Sequence, residues 1–376
     1  MFRDFFRTVR KIYLGQSVVL WLVMLVLPVG ISIFLAKMYS SHIILHVPVG
    51  VVNQDKSSLA DKLVDAFKAN PVLSVALECH DRADCEHAVI RGEIHAFVEI
   101  PYDLERKALR LETPVVPLYS SGQNYMTNTA ATNAIRSVVS SVGADIFTKG
   151  MDNPLSVTLI SVGNDTGSYE GFLVPGLISA IFHLAGMLAV AFVFCYPFRD
   201  NRVREYLKAA GGSRFVLWLA SLLPVLLIQW LSMIAVYVYI RRLLVPMGYE
   251  EFVVVSAAQF CMLLACSGFG VTFAGATGSM RSASSGAGFV GGPAFAYAGQ
   301  SYPVMAMTPF VRGFAFILPL THLLNVQSYM LFGAMGMHES WGSIKILLGM
   351  ALFWNLLGGM LIFKRWKKTA LREGEP

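Results

Sequence analysis

Cys79 and Cys85 stand six residues apart, with His80, His87 and His95 close by in the sequence. Thiols and imidazoles grouped in this way offer two chemistries, a disulfide or a soft-metal site. The Cys-x5-Cys-x-His spacing matches no standard zinc pattern, and strand alternation would point several of these side chains apart, which disfavours a metal. In an oxidising compartment the two cysteines pair; otherwise they remain free thiols. Asp55, within Asn53-Gln54-Asp55-Lys56-Ser57, is of a type that serves as a ligand, but its place before a helical run suits an Asx turn. Cys195, Cys261 and Cys266 fall in or beside apolar stretches and read as small packing residues.

Other chemistry is missing. No Gly-x-x-x-x-Gly-Lys-[Ser/Thr] loop occurs, and the dipeptide Gly-Lys is absent, so the chain has no phosphate loop of its own. Gly-x-Ser-x-Gly and His-Glu-x-x-His are absent too, and the expectation is a chain that is not an enzyme and binds no cofactor. Within the apolar stretches the candidate polar pathway is His183 with Gln229, Gln259 and Asn355. His183 serves either as a substrate or proton group or as a hydrogen-bond donor to a neighbouring helix. Proton-coupled carriers usually hold a buried Asp, Glu or Lys, so autonomous secondary transport is weakly supported.

The elements that must position these residues follow from composition. Of 376 residues, 55% are hydrophobic and 14% charged, against roughly 25% charged in soluble chains. A mean hydropathy of +0.57 cannot be hidden in a core of this size, so the fold class is an α-helical membrane protein. That excludes a cytosolic enzyme, a disordered chain and a disulfide scaffold. The net charge of +6 sits beside apolar spans, where it meets anionic lipid headgroups and not nucleic acid.

Stretches free of Asp, Glu, Lys and Arg cover 16–36, 171–198, 215–240, 252–280, 282–311, 313–338 and 346–363. Each is long enough to cross about 30 Å of hydrocarbon. Basic clusters precede the first stretch (Arg3, Arg7, Arg10, Lys11), separate the second from the third (Arg199, Arg202, Arg204, Lys208, Arg214) and follow the last (Lys364, Arg365, Lys367, Lys368, Arg372). All three belong on the cytoplasmic side. Both termini on one side require an even number of spans. The stretch 313–338, near Pro303, Pro309 and Pro319 and holding His322, Asn325 and Gln327, therefore reads as a re-entrant or interfacial pair of short helices. Six transmembrane helices result. The first stays as a signal anchor, because its apolar run exceeds an h-region and no small-x-small site precedes Lys37. Gly286, Gly288, Gly291, Gly292 and Pro293 allow bending and close helix approach in the fifth, or serve passive packing.

Phe2, Phe5, Phe6, Val9, Ile12 and Tyr13 fall on one helical stripe opposite Arg3, Arg7, Arg10 and Lys11, so the N-terminus reads as an amphipathic helix along the inner surface, or as a basic topogenic head. The polar segment 37–170 is different in kind. It predicts strands at 48–53, 72–77, 94–100, 115–119 and 157–162 and helices at 57–69, 82–91, 102–109 and 124–147, with Ser58 and Asp61 at capping-box spacing. This is an inserted α/β domain placed outside the cytoplasm and large enough to hold its own core. The layout is 1–36, 37–170 and 171–376, the last with five spans and a hairpin near 303–338.

This order of parts, with an insert opening Val51-Val52-Asn53-Gln54-Asp55-Lys56-Ser57-Ser58, a strand end at Ile100-Pro101 and an apolar hairpin before the last span, resembles the ABC-2 type permeases. It looks most like the bacterial exporter branch with a large extracytoplasmic domain after the first helix. The resemblance implies a transmembrane permease subunit of an ATP-driven exporter in the bacterial inner membrane, working as a dimer with a second copy or a homologous permease. It implies a separate cytoplasmic ABC ATPase subunit that carries ATP and Mg, and leaves room for a periplasmic adaptor protein. The coupling element then falls at 202–210, with Arg202, Val203, Arg204, Glu205, Tyr206 and Leu207 as contacts. Its stripe of Val203, Tyr206, Leu207 and Ala210 is expected to supply apolar anchors before the Gly211-Gly212 stop. Relatives carry an acidic residue and Gly-Thr before this helix, where Asp200-Asn201-Arg202 stands here; a solvated basic loop is the competing reading. The rival function is a non-transporting membrane-anchored surface protein whose external domain binds a partner.

Overall fold

The computed structural model describes residues 2–14, 18–39, 45–110, 115–120, 125–147, 169–243, 248–302, 304–331 and 337–372, and divides the chain into one unit of Met1–Ser40 with Ser161–Pro376 and another of Ser41–Ile160. The expected strand at 157–162 lies outside the described residues. The larger unit begins with α1 (Phe2–Leu14). Then α2 (Val18–Trp21) continues through a π-helical stretch (Leu22–Val26) into α3 (Leu27–Met38). Together Val18–Met38 form one apolar helix long enough to cross a membrane.

The smaller unit is built on β1 (Val47–Asn53), α4 (Ser58–Ala69), β2 (Leu73–Cys79), α5 (Arg82–Ile90), β3 (Ala96–Ile100), α6 (Leu104–Leu109), β4 (Leu118–Ser120) and α7 (Tyr125–Phe147). Its sheet runs β2-β1-β3-β4, with β1 parallel to β2 and β3 and with β4 antiparallel to β3. Right-handed crossovers that leave β1 on one side and return past it on the other place α4 and α5 on opposite faces. The valines of β1 divide accordingly. Val49 and Val51 pack with Leu63 and Phe67 of α4 and Ile135 of α7, whereas Val52 packs with Cys85, Ala88 and Phe97 under α5. Each fully buried Val or Leu contributes roughly 1.5–3 kcal/mol, so both faces hold the sheet.

Two local expectations are corrected here. Ser57, not Ser58, caps α4, its Oγ accepting from Ala60 N at 3.3 Å, while Ser58 Oγ donates to Glu105 Oε1 at 2.9 Å. The Asx turn belongs to Asn53, whose Oδ1 accepts from Asp55 N at 3.1 Å. Asp55 Oδ2 instead accepts from Ser57 Oγ and from Glu105 N, both at 2.9 Å, and so ties the start of α4 to the start of α6.

The larger unit resumes with α8 (Tyr169–Cys195), a 3-10 turn (Tyr196–Asn201), α9 (Val203–Ala209), α10 (Arg214–Leu243) and α11 (Tyr249–Thr277). It closes with α12 (Met280–Gly291), α13 (Ala294–Tyr297), α14 (Pro309–Ile317), α15 (Pro319–Leu331) and α16 (Met337–Arg372). Among the described residues five helices are long and apolar enough to cross a membrane, α8, α10, α11, α16 and the joined α2–α3, and the bent α14–α15 pair brings the number to six if it is taken as one span.

The stretch 282–311, expected as one span, is not a single helix. It divides into α12, α13 and the start of α14, because Gly291-Gly292-Pro293 removes side-chain packing and a backbone donor from the middle of the run. The broken segment still runs the length of the bundle. It begins next to the end of α11, where Arg365 donates to Gly275 O and Ala276 O, and reaches the start of α8, where Gln300 Nε2 donates to Phe172 O at 2.7 Å. The α14–α15 pair bends by 84°. Its corner is stapled by Thr321 Oγ1, which donates to Ala315 O at 2.7 Å, and by His322 Nε2, 2.8 Å from Phe316 O, so carbonyls freed before Pro319 are satisfied.

Long helices pack closely where glycines remove side chains. A Cβ on Gly268 of α11 would stand 2.5 Å from Trp354 Cβ, and one on Gly358 of α16 would stand 2.8 Å from Thr272 N. Small residues facing each other in this way let two backbones approach without a hydrophobic drive between them.

Candidate functional site

The short helix α9 sits between two long apolar helices, and its ends are fixed by local sequence. Gly211 and Gly212 adopt φ of 64° and 81°, and their amides donate to Lys208 O and Leu207 O, a glycine stop that turns the chain into α10. Val203, Tyr206, Ala209 and Ala210 are buried, Tyr206 to 2% exposure. The apolar stripe expected to receive a partner therefore faces the chain's own bundle, because burying it against Tyr196 and the neighbouring helices removes it from water without any partner. What α9 presents outward is charged: Arg202, Arg204, Glu205 and Lys208, with Leu207 half-buried among them.

Glu205 accepts from Arg202 Nε at 2.6 Å and from Lys11 Nζ of α1 at 2.5 Å. The Arg202 hydrogen bond first, and the Lys11 bond second, hold its carboxyl down at about 2, well below the usual carboxylate range. The same pairing raises Arg202. Lys11 also lies over the Tyr206 ring, 5.3 Å from its centroid. Burial pushes the Tyr206 phenol up to about 12. One turn on, Tyr13 donates to Ser221 O of α10 at 2.7 Å. The amphipathic stripe of α1 is thus divided: Ile12 and Tyr13 are buried, Phe5 and Val9 pack beside them, and Phe2 and Phe6 stay 78% and 54% exposed.

The polar residues singled out in the apolar stretches lie on four different long helices. His183 on α8, Gln229 on α10 and Gln259 on α11 are all at most 1% exposed, and neither ring nitrogen of His183 has a partner among the described residues. Asn355 of α16 joins helices: its Nδ2 donates to Leu264 O at 2.8 Å and its Oδ1 accepts from Ser267 Oγ at 3.2 Å. A network absent from the sequence reading lies one turn from His183. Gln327 Nε2 donates to Ser179 Oγ at 2.7 Å and to Tyr237 OH at 2.5 Å, and Tyr237 OH donates to Pro175 O at 2.9 Å. The Ser179 and His183 spacing of four on one helix was the available signal; Tyr237 carried none. Lys11, missed as a site residue, reads from sequence as part of the charged face of an amphipathic helix or as topogenic charge.

In the smaller unit a disulfide joins Cys79 at the end of β2 to Cys85 in α5. A Cβ on Gly50 would stand 2.6 Å from Cys85 Sγ, so glycine in β1 is what lets α5 lie this close to the sheet. Among the described residues no group of three His, Cys, Asp or Glu side chains is placed to hold a metal.

No curated protein matches this chain. A family model described as ABC-2 family transporter protein matches residues 18–359, which runs from the first apolar helix through α9 and into α16. Matched over nearly its whole length, and with long apolar helices, the chain belongs to the ABC-2 family of transporter membrane proteins.

Proposed function

We propose that the chain is the permease subunit of an ATP-driven exporter, moving substrate out of the cytoplasm or inner membrane on energy from a separate ATPase that holds ATP and Mg. The observation that carries this reading is α9: a short helix set rigidly between two spans, with Val203 and Tyr206 locked into the bundle and a charged face turned outward. A lever of this kind transmits a push only if it cannot rotate, and the burial of Val203 and Tyr206 together with the Lys11 bond from α1 to Glu205 supplies that restraint. Arg204 and Lys208 are the contacts we assign to the ATPase, with Leu207 between them. Surface charges of this sort set orientation and salt sensitivity more than affinity.

In this reading the basic loops and both termini lie in the cytoplasm, six crossings are completed by the broken α12–α13 segment, and residues 37–170 lie outside. The permease acts as a dimer, with a second copy or a homologous partner, and the external unit is the part we assign to a periplasmic adaptor. Phe2 and Phe6 rest in the inner-leaflet interface. Exchanging Arg204 and Lys208 for Glu should abolish ATP-driven export in reconstituted vesicles while membrane insertion stays normal; undiminished export by that variant removes α9 from the coupling route.

A further inference from the structure

Phe215 and Trp218 of α10 and Leu352, Leu356, Met360 and Phe363 of α16 line an apolar groove of about 580 Å3. At its end lies a second recess of about 670 Å3, lined by Arg204, Leu207, Arg214, Lys367 and Leu371, with no carboxylate among its described lining residues. The two follow one another along the same pair of helices, the recess being bounded by α9 as well. Arg214 precedes Phe215, Lys367 follows Phe363 by one turn, and at the join Arg214 Nη1 donates to Phe363 O at 3.4 Å.

We propose that groove and recess form one site for an anionic phospholipid, with an acyl chain along the α10–α16 groove and the phosphate held by Arg214 and Lys367. A lining that is apolar except for Asn355 and the Trp218 ring nitrogen suits a hydrocarbon tail, and cations at the level where apolar helices end suit a headgroup phosphate. The two halves have opposite chemistry in the order that a phospholipid presents them. A second copy of this chain would have to bring a carboxylate to the recess as well as an apolar ridge to the groove. The proposal requires a membrane-embedded unit and does not depend on coupling to an ATPase, so its test leaves the coupling reading untouched.

Native mass spectrometry of the full chain, loaded with phosphatidylglycerol or phosphatidylcholine of identical acyl chains, tests it. Wild type should retain phosphatidylglycerol at activation that strips phosphatidylcholine, and glycerophosphate should fail to displace it. Arg214→Gln with Lys367→Gln should lower that retention by roughly ten- to thirtyfold. Gly359→Leu keeps every charge and fills the groove at a position where a new Cβ meets nothing within 4 Å, and it should lower retention too. Arg214→Lys, the charge-conserving control, should keep it. Equal retention of the two lipids, or no response to either variant, overturns the site. Displacement by glycerophosphate assigns the recess to a free phosphate. An oligomer change in Gly359→Leu without a lipid change assigns the groove to a second copy; either result overturns the proposal.

Discussion

Lys11 Nζ lies 2.5 Å from Glu205 Oε1, an ion pair across 194 residues of sequence that fastens α1 to the charged face of α9. Because Lys11 also rests on the Tyr206 ring, the N-terminal helix covers the residue that anchors α9 from within. In the proposed coupling, a push on Arg204 or Lys208 would be delivered to α1 and the bundle together.

Tyr206 separates anchoring from contact. With its ring buried, Tyr206→Ala should cost on the order of 3 kcal/mol and lower the melting temperature of the purified protein. Arg204→Glu with Lys208→Glu, on the exposed face, should leave that temperature nearly unchanged. Equal destabilisation by both variants would show that α9 has no free outer face.

The α1–α9 pair should be insensitive to pH in the physiological range. The folded Glu205 carboxyl sits at about 2, below its ordinary value of 4.5, so its contribution is present above pH 4.5 and is lost only as pH falls through about 2. Thermal melts between pH 5 and 8 should show no Glu205-dependent step when wild type and Glu205→Gln are compared. Both partners are partly exposed, at 27% and 46%, so Lys11→Met should cost at most about 1 kcal/mol. A step near neutral pH that vanishes in Glu205→Gln would contradict this.

Cys79→Ser with Cys85→Ser should loosen α5 selectively. A ring this short contributes about 2 kcal/mol, mostly by restricting the unfolded chain. Hydrogen exchange should rise over Arg82–Ile90 more than over β1, which is held on its other face by α4 and α7. Uniform acceleration across the unit would mean that the disulfide stabilises the sheet as a whole.

Gly268→Leu should disrupt the α11–α16 crossing, since even a Cβ there meets Trp354 and the backbone of Asn355 inside 3 Å. The expected readout is loss of monodisperse protein on size exclusion, whereas Gly349→Leu, at an open position on α16, should behave as wild type. Normal behaviour of Gly268→Leu would place the two helices further apart.

Apolar runs and basic clusters made the membrane class legible, because both are imposed by the bilayer and not by tertiary detail. The alternating valines of 47–53 likewise announced a buried strand. Two things were not legible. Gly292-Pro293 reads from sequence as a bend in one long span or as passive packing, since charge-free length says nothing of helix continuity; Pro293 has no backbone donor to continue the ladder. The stripe of α9 was readable as amphipathic, but periodicity gives a face and not what covers it. Only the packing of Tyr196 and Lys11 around Tyr206 shows that the cover is internal. Nor does the type of Asn355 tell of its bonds to Leu264 and Ser267, which join α16 to α11.

The central claim is that a separate ATPase drives this permease through the outer face of α9. Its most direct measurement is Mg-dependent ATP hydrolysis by the complex isolated on the tagged chain from its native membrane, with the bound polypeptide sequenced. The account predicts a stoichiometric subunit that carries a Walker loop, with hydrolysis that is lost from the preparation when Arg204 and Lys208 are both exchanged for Glu. Isolation of intact, folded permease with no such subunit, or with hydrolysis unchanged by the double exchange, would contradict it.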